Sequence, residues 1–295
     1  MVIEPDPAGD DPLGYGSPMR SQPAPAPRDE VQADAIPGRP RPWPGLPSPG
    51  GLLWPALLIA AVLAVWELVV RVRDVPNWLL PPPSAIGRAL LDDRTLLLTN
   101  ARITLSEILL GFGLAVVVGV TLGVLIANVG PIARAVYPIV ITSQTIPVPA
   151  IAPLLLIWFG YGLFPKVLVT ALIGFFPIVV NTVDGIRSTD RDTLDLFRTL
   201  RASVWQRLRH AQLPSALPAI FSGARIAMTA CVIGAVFAEL TGSSQGLGYL
   251  LNRSAGQFLT ARVFAIIVVL SLLGIGLFAL LALIERLALP WRRVR

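Results

Sequence analysis

Nucleophilic, acid–base and metal chemistry all need side chains that this sequence holds in short supply. His210 is its one histidine and Cys231 its one cysteine, so no cluster of His and Cys can be assembled around a metal. There is no GxSxG elbow, no HExxH pair and no phosphate-binding P-loop. Three acids come near the long apolar runs, Glu67, Glu107 and Glu239, and each sits near the end of a run. Catalysis therefore has no visible site, and transport or a structural role is left.

Three segments carry polar groups in unusual places. The first reads Ser143-Gln144-Thr145-Ile146-Pro147-Val148-Pro149-Ala150-Ile151-Ala152-Pro153. Each proline removes a backbone donor, and such breaks at membrane depth are tolerated where they are buried in protein or line a wet cavity. The spacing predicts a kinked helix, with Gln144, Thr145 and Pro147 lining a solute path or the kink serving packing alone. The second is a charged, amphipathic stretch over about 185–218. Leu194, Phe197, Leu200 and Val204 recur there at helical spacing, with Asp195, Arg198, Arg201 and Arg209 on other faces. A helical hairpin with an apolar ridge fits docking on a soluble partner or lying on the lipid surface. Leu213-Pro214 and Leu217-Pro218 are expected to end that helical pattern. The third is Glu239 with the glycine turn Gly246-Leu247-Gly248. An acid there marks function, a buried pair with Arg225 or Arg253, or an interfacial side chain reaching for water.

These segments have to be positioned by membrane-spanning helices. The chain has 295 residues, 54% hydrophobic and 14% charged, with mean hydropathy +0.68. Soluble domains carry about 25% charged residues, so the composition selects an all-α polytopic membrane protein. A net charge of +6 does not point to nucleic acid, because the arginines lie in short segments between apolar runs. Lys166 is the one lysine, which reads as base composition. Six spans are predicted: 52–70, a second starting near Ile103 with 108–133 free of charge, one within 135–165, 167–183, about 220–240 and 263–284.

The arginine bias puts both termini in the cytoplasm, with Arg134, Arg187 to Arg209 and Arg286 to Arg295 inside. Residues 1–50, rich in proline and acids, read as a disordered cytoplasmic tail, and 51–295 as the membrane domain. Between the first two spans, Pro81, Pro82 and Pro83 precede Ser84, Ile86, Leu90 and Leu91. This predicts a short amphipathic helix capped by Ser84.

In this order the segments resemble the permease subunits of type I binding-protein-dependent ABC importers. That family carries a cytoplasmic loop with the pattern EAA, three residues, Gly, nine residues, Ile, any residue, Leu-Pro. Counting back from Pro214 gives Asp195-Leu196-Phe197, Arg201 and Ala211-Gln212-Leu213-Pro214, so Arg201 stands at the glycine position. The nitrate/sulfonate/taurine branch is resembled more closely. Its places are filled by Ser106-Glu107-Ile108-Leu109-Leu110-Gly111-Phe112, by Pro147 and Pro153-Leu154 with Ile157-Trp158-Phe159-Gly160, by Leu217-Pro218-Ala219-Ile220 with Gly223, Arg225 and Ile226, and by Glu239 with Gly246-Leu247-Gly248-Tyr249.

The resemblance implies a multi-pass permease of the bacterial plasma membrane, not itself an enzyme, importing a small polar or anionic solute. Its partners would be a second permease copy, an extracytoplasmic solute-binding protein, a dimer of ATP-binding cassette ATPases and membrane lipid, with no nucleic acid. ATP and Mg would be on the ATPase, with no cofactor on this chain. Coupling would fall to Asp195, Phe197, Arg198, Arg201, Ala202, Leu213 and Pro214. Gln144, Thr145 and Pro147 would line the path and Glu239 would shape its outer end. An ATPase-independent channel or secondary carrier, or a non-transporting scaffold, is the alternative.

Overall fold

A computed structural model describes residues 49–290. The expected tail lies outside the described residues, except that the first helix, α1 (Pro49–Val72), begins inside its predicted C-terminal end. Contacts divide the chain into two units, 1–57 and 58–295. The first contributes only the opening turns of α1 to the described residues. The second continues through α2 (Pro83–Asp92), α3 (Arg94–Asn128), α4 (Gly130–Ser143), α5 (Val148–Phe159), α6 (Leu163–Arg187), α7 (Arg191–Thr199), α8 (Val204–Arg207), a π-helix (Leu208–Gln212), α9 (Leu213–Gly242), α10 (Leu247–Gly256) and α11 (Thr260–Ala288).

Five helical runs are long and apolar enough to cross a bilayer: α1, α3, α6, the continuous run Val204–Gly242 and α11. A sixth crossing needs α4 and α5 together, and these are bent by 100°. At 1.5 Å per residue neither alone covers about 30 Å of hydrocarbon. The predicted kink is thus a full break.

α3, α6 and α9 form the packed centre. Lipid gives no hydrophobic drive for helices to associate, so close backbone approach has to supply it. A Cβ on Gly111 of α3 would stand 2.5 Å from Thr170 of α6, and one on Gly174 of α6 would stand 2.4 Å from Cys231 Sγ of α9. Ile108, Ile178, Val183, Ala227 and Cys231 are buried among these helices.

α2 forms where the prolines predict it, with Pro83 in its first turn. Its cap differs. Pro82 is the N-cap, and Ser84 instead donates its N–H (3.0 Å) and hydroxyl (2.8 Å) to the Glu67 carboxylate. Ile86 is buried and Leu90 half-buried against α11, while Leu91 faces outward. At the far end of α2, Arg262 of α11 grips Asp93 through two nitrogens at 2.7 and 2.8 Å.

The helical pattern does not end at Leu213-Pro214. The chain turns through the π-helix and continues as α9, with Pro214 in its first turn and Pro218 inside. A π-turn shifts the hydrogen-bond ladder by one residue, which makes room for a ring and a missing N–H that a regular helix would reject.

Candidate functional site

One end of α9 holds a buried polar cluster built from four helices. α3 presents Asn100, Thr104 and Glu107 at helical spacing, so all three share one face. α6 brings Lys166 from its first turn, α9 brings Glu239 from its last turn with Ser243 as its C-cap, and the turn after α9 brings the N-terminus of α10. Lys166 Nζ donates to Glu107 Oε1 at 2.5 Å and to Ser243 Oγ at 3.0 Å. Thr104 donates to Glu239 Oε1 at 2.7 Å and accepts the Leu247 N–H at 2.9 Å. The Gly248 N–H donates to Glu239 Oε2 at 2.5 Å, and the Gly246 N–H to Asn100 at 2.8 Å.

Glu107 is 0% exposed, Glu239 1% and Lys166 8%. Glu239 therefore shapes this end of the helices through its hydrogen bonds and does not line an open surface. It meets a helix N-terminus, where free N–H groups favour an anion. Of the partners named for it from the sequence, Arg225 lies 3.4 Å from Glu285 of α11, and Arg253 donates to Tyr249. Gly246 has φ +110°, and a Cβ there would stand 2.1 Å from Glu239 Oε1. Only glycine lets the turn close over the carboxylate.

The α4–α5 break is the opposite environment. Thr145 and Ile146 close a turn onto Thr142 and Ser143 (both 3.1 Å), and Pro147 leaves in an extended conformation as the N-cap of α5. Gln144, Thr145 and Pro147 are all exposed. The Thr145 hydroxyl turns back to the Thr142 carbonyl at 2.7 Å.

The α7–α8 segment is the predicted helical hairpin. Asp190 caps α7, accepting from the Thr193 N–H (3.2 Å) and hydroxyl (3.0 Å). Those bonds, the hydroxyl's foremost, hold its carboxyl below the usual Asp value. Asp195 and Arg198 pair at 2.6 Å on the exposed face. α7 ends at Thr199 with Leu200 as its C-cap, and Arg201 turns the chain with φ +52°, a left-handed conformation that favours glycine. A reciprocal Ser203–Gln206 capping box then starts α8. Leu194, Phe197 and Ala202 are half-buried, but Leu196, Leu200, Val204 and Trp205 are exposed. The expected ridge is thus split, with its inner half packed and its outer half open. Leu213 is half-buried and Pro214 exposed at the start of α9.

The structure does not bring the sequence-selected residues into one site. Gln144, Thr145 and Pro147 lie at the break, the residues expected to couple lie from α7 to the first turn of α9, and Glu239 lies in the cluster. Asn100, Thr104, Glu107 and Lys166 were not singled out as site residues. One signal pointed to Lys166: it is the sole lysine in a chain that otherwise uses arginine. A compact ammonium fits between Glu107 and Ser243, where a planar guanidinium is wider.

The model of the family described as binding-protein-dependent transport system inner membrane component matches residues 119–289. A formylaminopyrimidine transport permease protein of Halalkalibacterium halodurans is 42% identical over 82% of this chain and 96% of its own length. A riboflavin transport system permease protein of Chloroflexus aurantiacus is 37% identical over 81% and 91%. A taurine transport system permease protein of Escherichia coli is 32% identical over 79% and 87%. Among solved structures, an inward-facing methionine ABC transporter chain superposes with TM-score 0.59 at 20% identity, covering 66% of this chain and 97% of that one. That likeness shows the fold. The family match and the long relatives place the chain among transport permeases, not with the channel, carrier or scaffold alternatives. This chain belongs to the inner membrane components of binding-protein-dependent ABC importers, as a multi-pass permease subunit and not an enzyme.

Proposed function

We propose that two copies of this chain form an import path for a small planar nitrogen heterocycle. The α4–α5 break carries the reading. A span bent by 100°, with Gln144, Thr145 and Pro147 exposed, would leave polar backbone in lipid unless a second subunit or a wet path covers it. Two such breaks facing each other would give a lining of amide, hydroxyl and carbonyl groups with no fixed charge. That lining suits an uncharged heterocycle, in keeping with the relatives at 42% and 37% identity, named for formylaminopyrimidine and riboflavin transport. Nitrate, a sulfonate or taurine is the second reading, favoured by the taurine relative.

Both termini are cytoplasmic in this reading, so α7 and α8 face the cytoplasm and a solute-binding protein docks on the opposite side. The exposed Leu196, Leu200, Val204 and Trp205, with Arg198 and Arg201, would seat an ATPase dimer holding the ATP and Mg. Co-purification tests this. Wild type should bring down an ATP-binding protein, and Arg198→Glu with Arg201→Glu should lose it while the permease stays folded. No ATPase with wild type, even after crosslinking, would sink the coupling assignment. Uptake of labelled pyrimidine and of labelled taurine decides the solute. Gln144→Ala with Thr145→Val should lower uptake at least tenfold, and unchanged uptake counts against the lining.

A further inference from the structure

Leu208, Ala211, Ala216 and Gly223 are buried along one continuous helical run. A Cβ on Gly185 of α6 would stand 3.1 Å from Ala216, so this stripe faces α6. A regular helix keeps one face at steps of three, four and seven residues. Leu208 to Ala211 is a step of three and Ala216 to Gly223 a step of seven, but Ala211 to Ala216 is a step of five. The stripe holds one residue too many, and the surplus falls where the π-helix ends. Carried back from Ala216 without that turn, a regular helix would put Gln212, Arg209 and Trp205 on the packed face. Instead Leu208 is packed, and Arg209 and Trp205 are exposed.

The cause lies in Pro214. It has no N–H to give, and its ring would strike the His210 carbonyl of a regular ladder. The Leu213 N–H reaches back to the Leu208 carbonyl instead, one residue further than in an α-helix. We propose that this π-turn sets the rotation of the docking loop, with Pro214 as the positioning residue. By taking up one residue it keeps Leu208 and Ala211 packed, and it fixes the direction in which α7 and α8 present Leu200, Val204 and Trp205. One residue of error would swing that face by about 100° about the helix axis. The register stands on the buried stripe alone; that the face meets an ATPase rests on the function proposed above.

Thiol labelling of the full chain in nanodiscs reads the register without any partner. On a Cys231→Ala background, Arg209→Cys should react with a polar maleimide at least tenfold faster than Leu208→Cys. Pro214→Ala with Gln212 deleted removes the cause and the surplus together, so that contrast should persist. Deleting Ser215, in the regular ladder just past the turn, should swing α8 by about 100° and make Leu208→Cys reactive. An ATP-binding protein should co-purify with wild type and with the Gln212-deleted variant, and fall at least tenfold with the Ser215 deletion. Labelling unchanged by the Ser215 deletion, or a Gln212-deleted variant that exposes Leu208→Cys or does not fold, overturns the register. Shifted labelling with undiminished co-purification overturns the aiming role and leaves the docking reading intact. Labelling as expected with no ATP-binding protein on wild type upholds the register and sinks the docking reading. If the Ser215 deletion alone fails to fold, tolerance of a lost residue at Gln212 only upholds the surplus.

Discussion

At one end of α9, Glu107 and Lys166 pair at 2.5 Å with their side chains 0% and 10% exposed. In the α7–α8 loop, Asp195 and Arg198 pair at 2.6 Å with theirs 63% and 65% exposed. The geometry is nearly the same and the consequence is not. An exposed pair contributes about 0–1 kcal/mol, since water solvates either charge alone. A buried pair has no such alternative, so removing one partner strands the other at a cost of about 3–5 kcal/mol. The cluster is thus a structural lock, tied to four helices, while the loop leaves its charges and its outer apolar face exposed.

That contrast can be broken by substitution. The largest effect is expected at the cluster's tightest point. Gly246→Ala places a Cβ 2.1 Å from Glu239 Oε1 on backbone at φ +110°, and folded permease should be lost from detergent extracts. Wild-type yield of a monodisperse protein would remove the lock. Lys166→Met should destabilise by about 3–5 kcal/mol, read as a lowered midpoint in thermal unfolding. Adding Glu107→Gln should recover part of that loss, since the Glu107 carboxylate is then no longer left without its lysine.

Effects in the loop should be smaller and can have the opposite sign. Arg201→Gly should stabilise the α7–α8 turn by about 1 kcal/mol by relieving the left-handed backbone, read as slower amide exchange at 200–203. Faster exchange would mean that the guanidinium, not the backbone, holds the turn. The smallest effect is pH-linked. Asp190 has a lowered value in the folded chain, so its cap contributes fully above the ordinary Asp range and is lost as pH falls through the lowered value. Asp190→Ala should speed exchange in α7 at neutral pH and make little difference in strong acid. An equal effect at both pH values would remove the carboxylate from the explanation.

Much of the fold was legible because apolar length and proline placement act locally. The spans beginning near Leu52, Ile103, Val167, Ile220 and Val263 all became helices, and Pro81 to Pro83 set the start of α2. The helix from Val204 to Gly242 ran past the predicted stop at Leu213-Pro214, because a π-turn absorbed the proline. The ridge of Leu194, Phe197, Leu200 and Val204 had the right period, but its burial depended on neighbours that periodicity does not name. Arg201 at a glycine position was visible in the sequence; that the backbone there is left-handed was not.

The sequence alone determined that this chain crosses a membrane repeatedly, that it carries no catalytic constellation and that its order of motifs resembles ABC importer permeases. The first two follow from composition and spacing and the third from a likeness of residue motifs, all of them properties of the chain itself. Tertiary structure decided what the polar residues do. Glu239 meets Thr104 across 135 positions of sequence and Lys166 meets Glu107 across 59. Whether a carboxyl inside a membrane protein is stranded or paired depends on which groups packing brings within about 3 Å, and no local pattern records that distance.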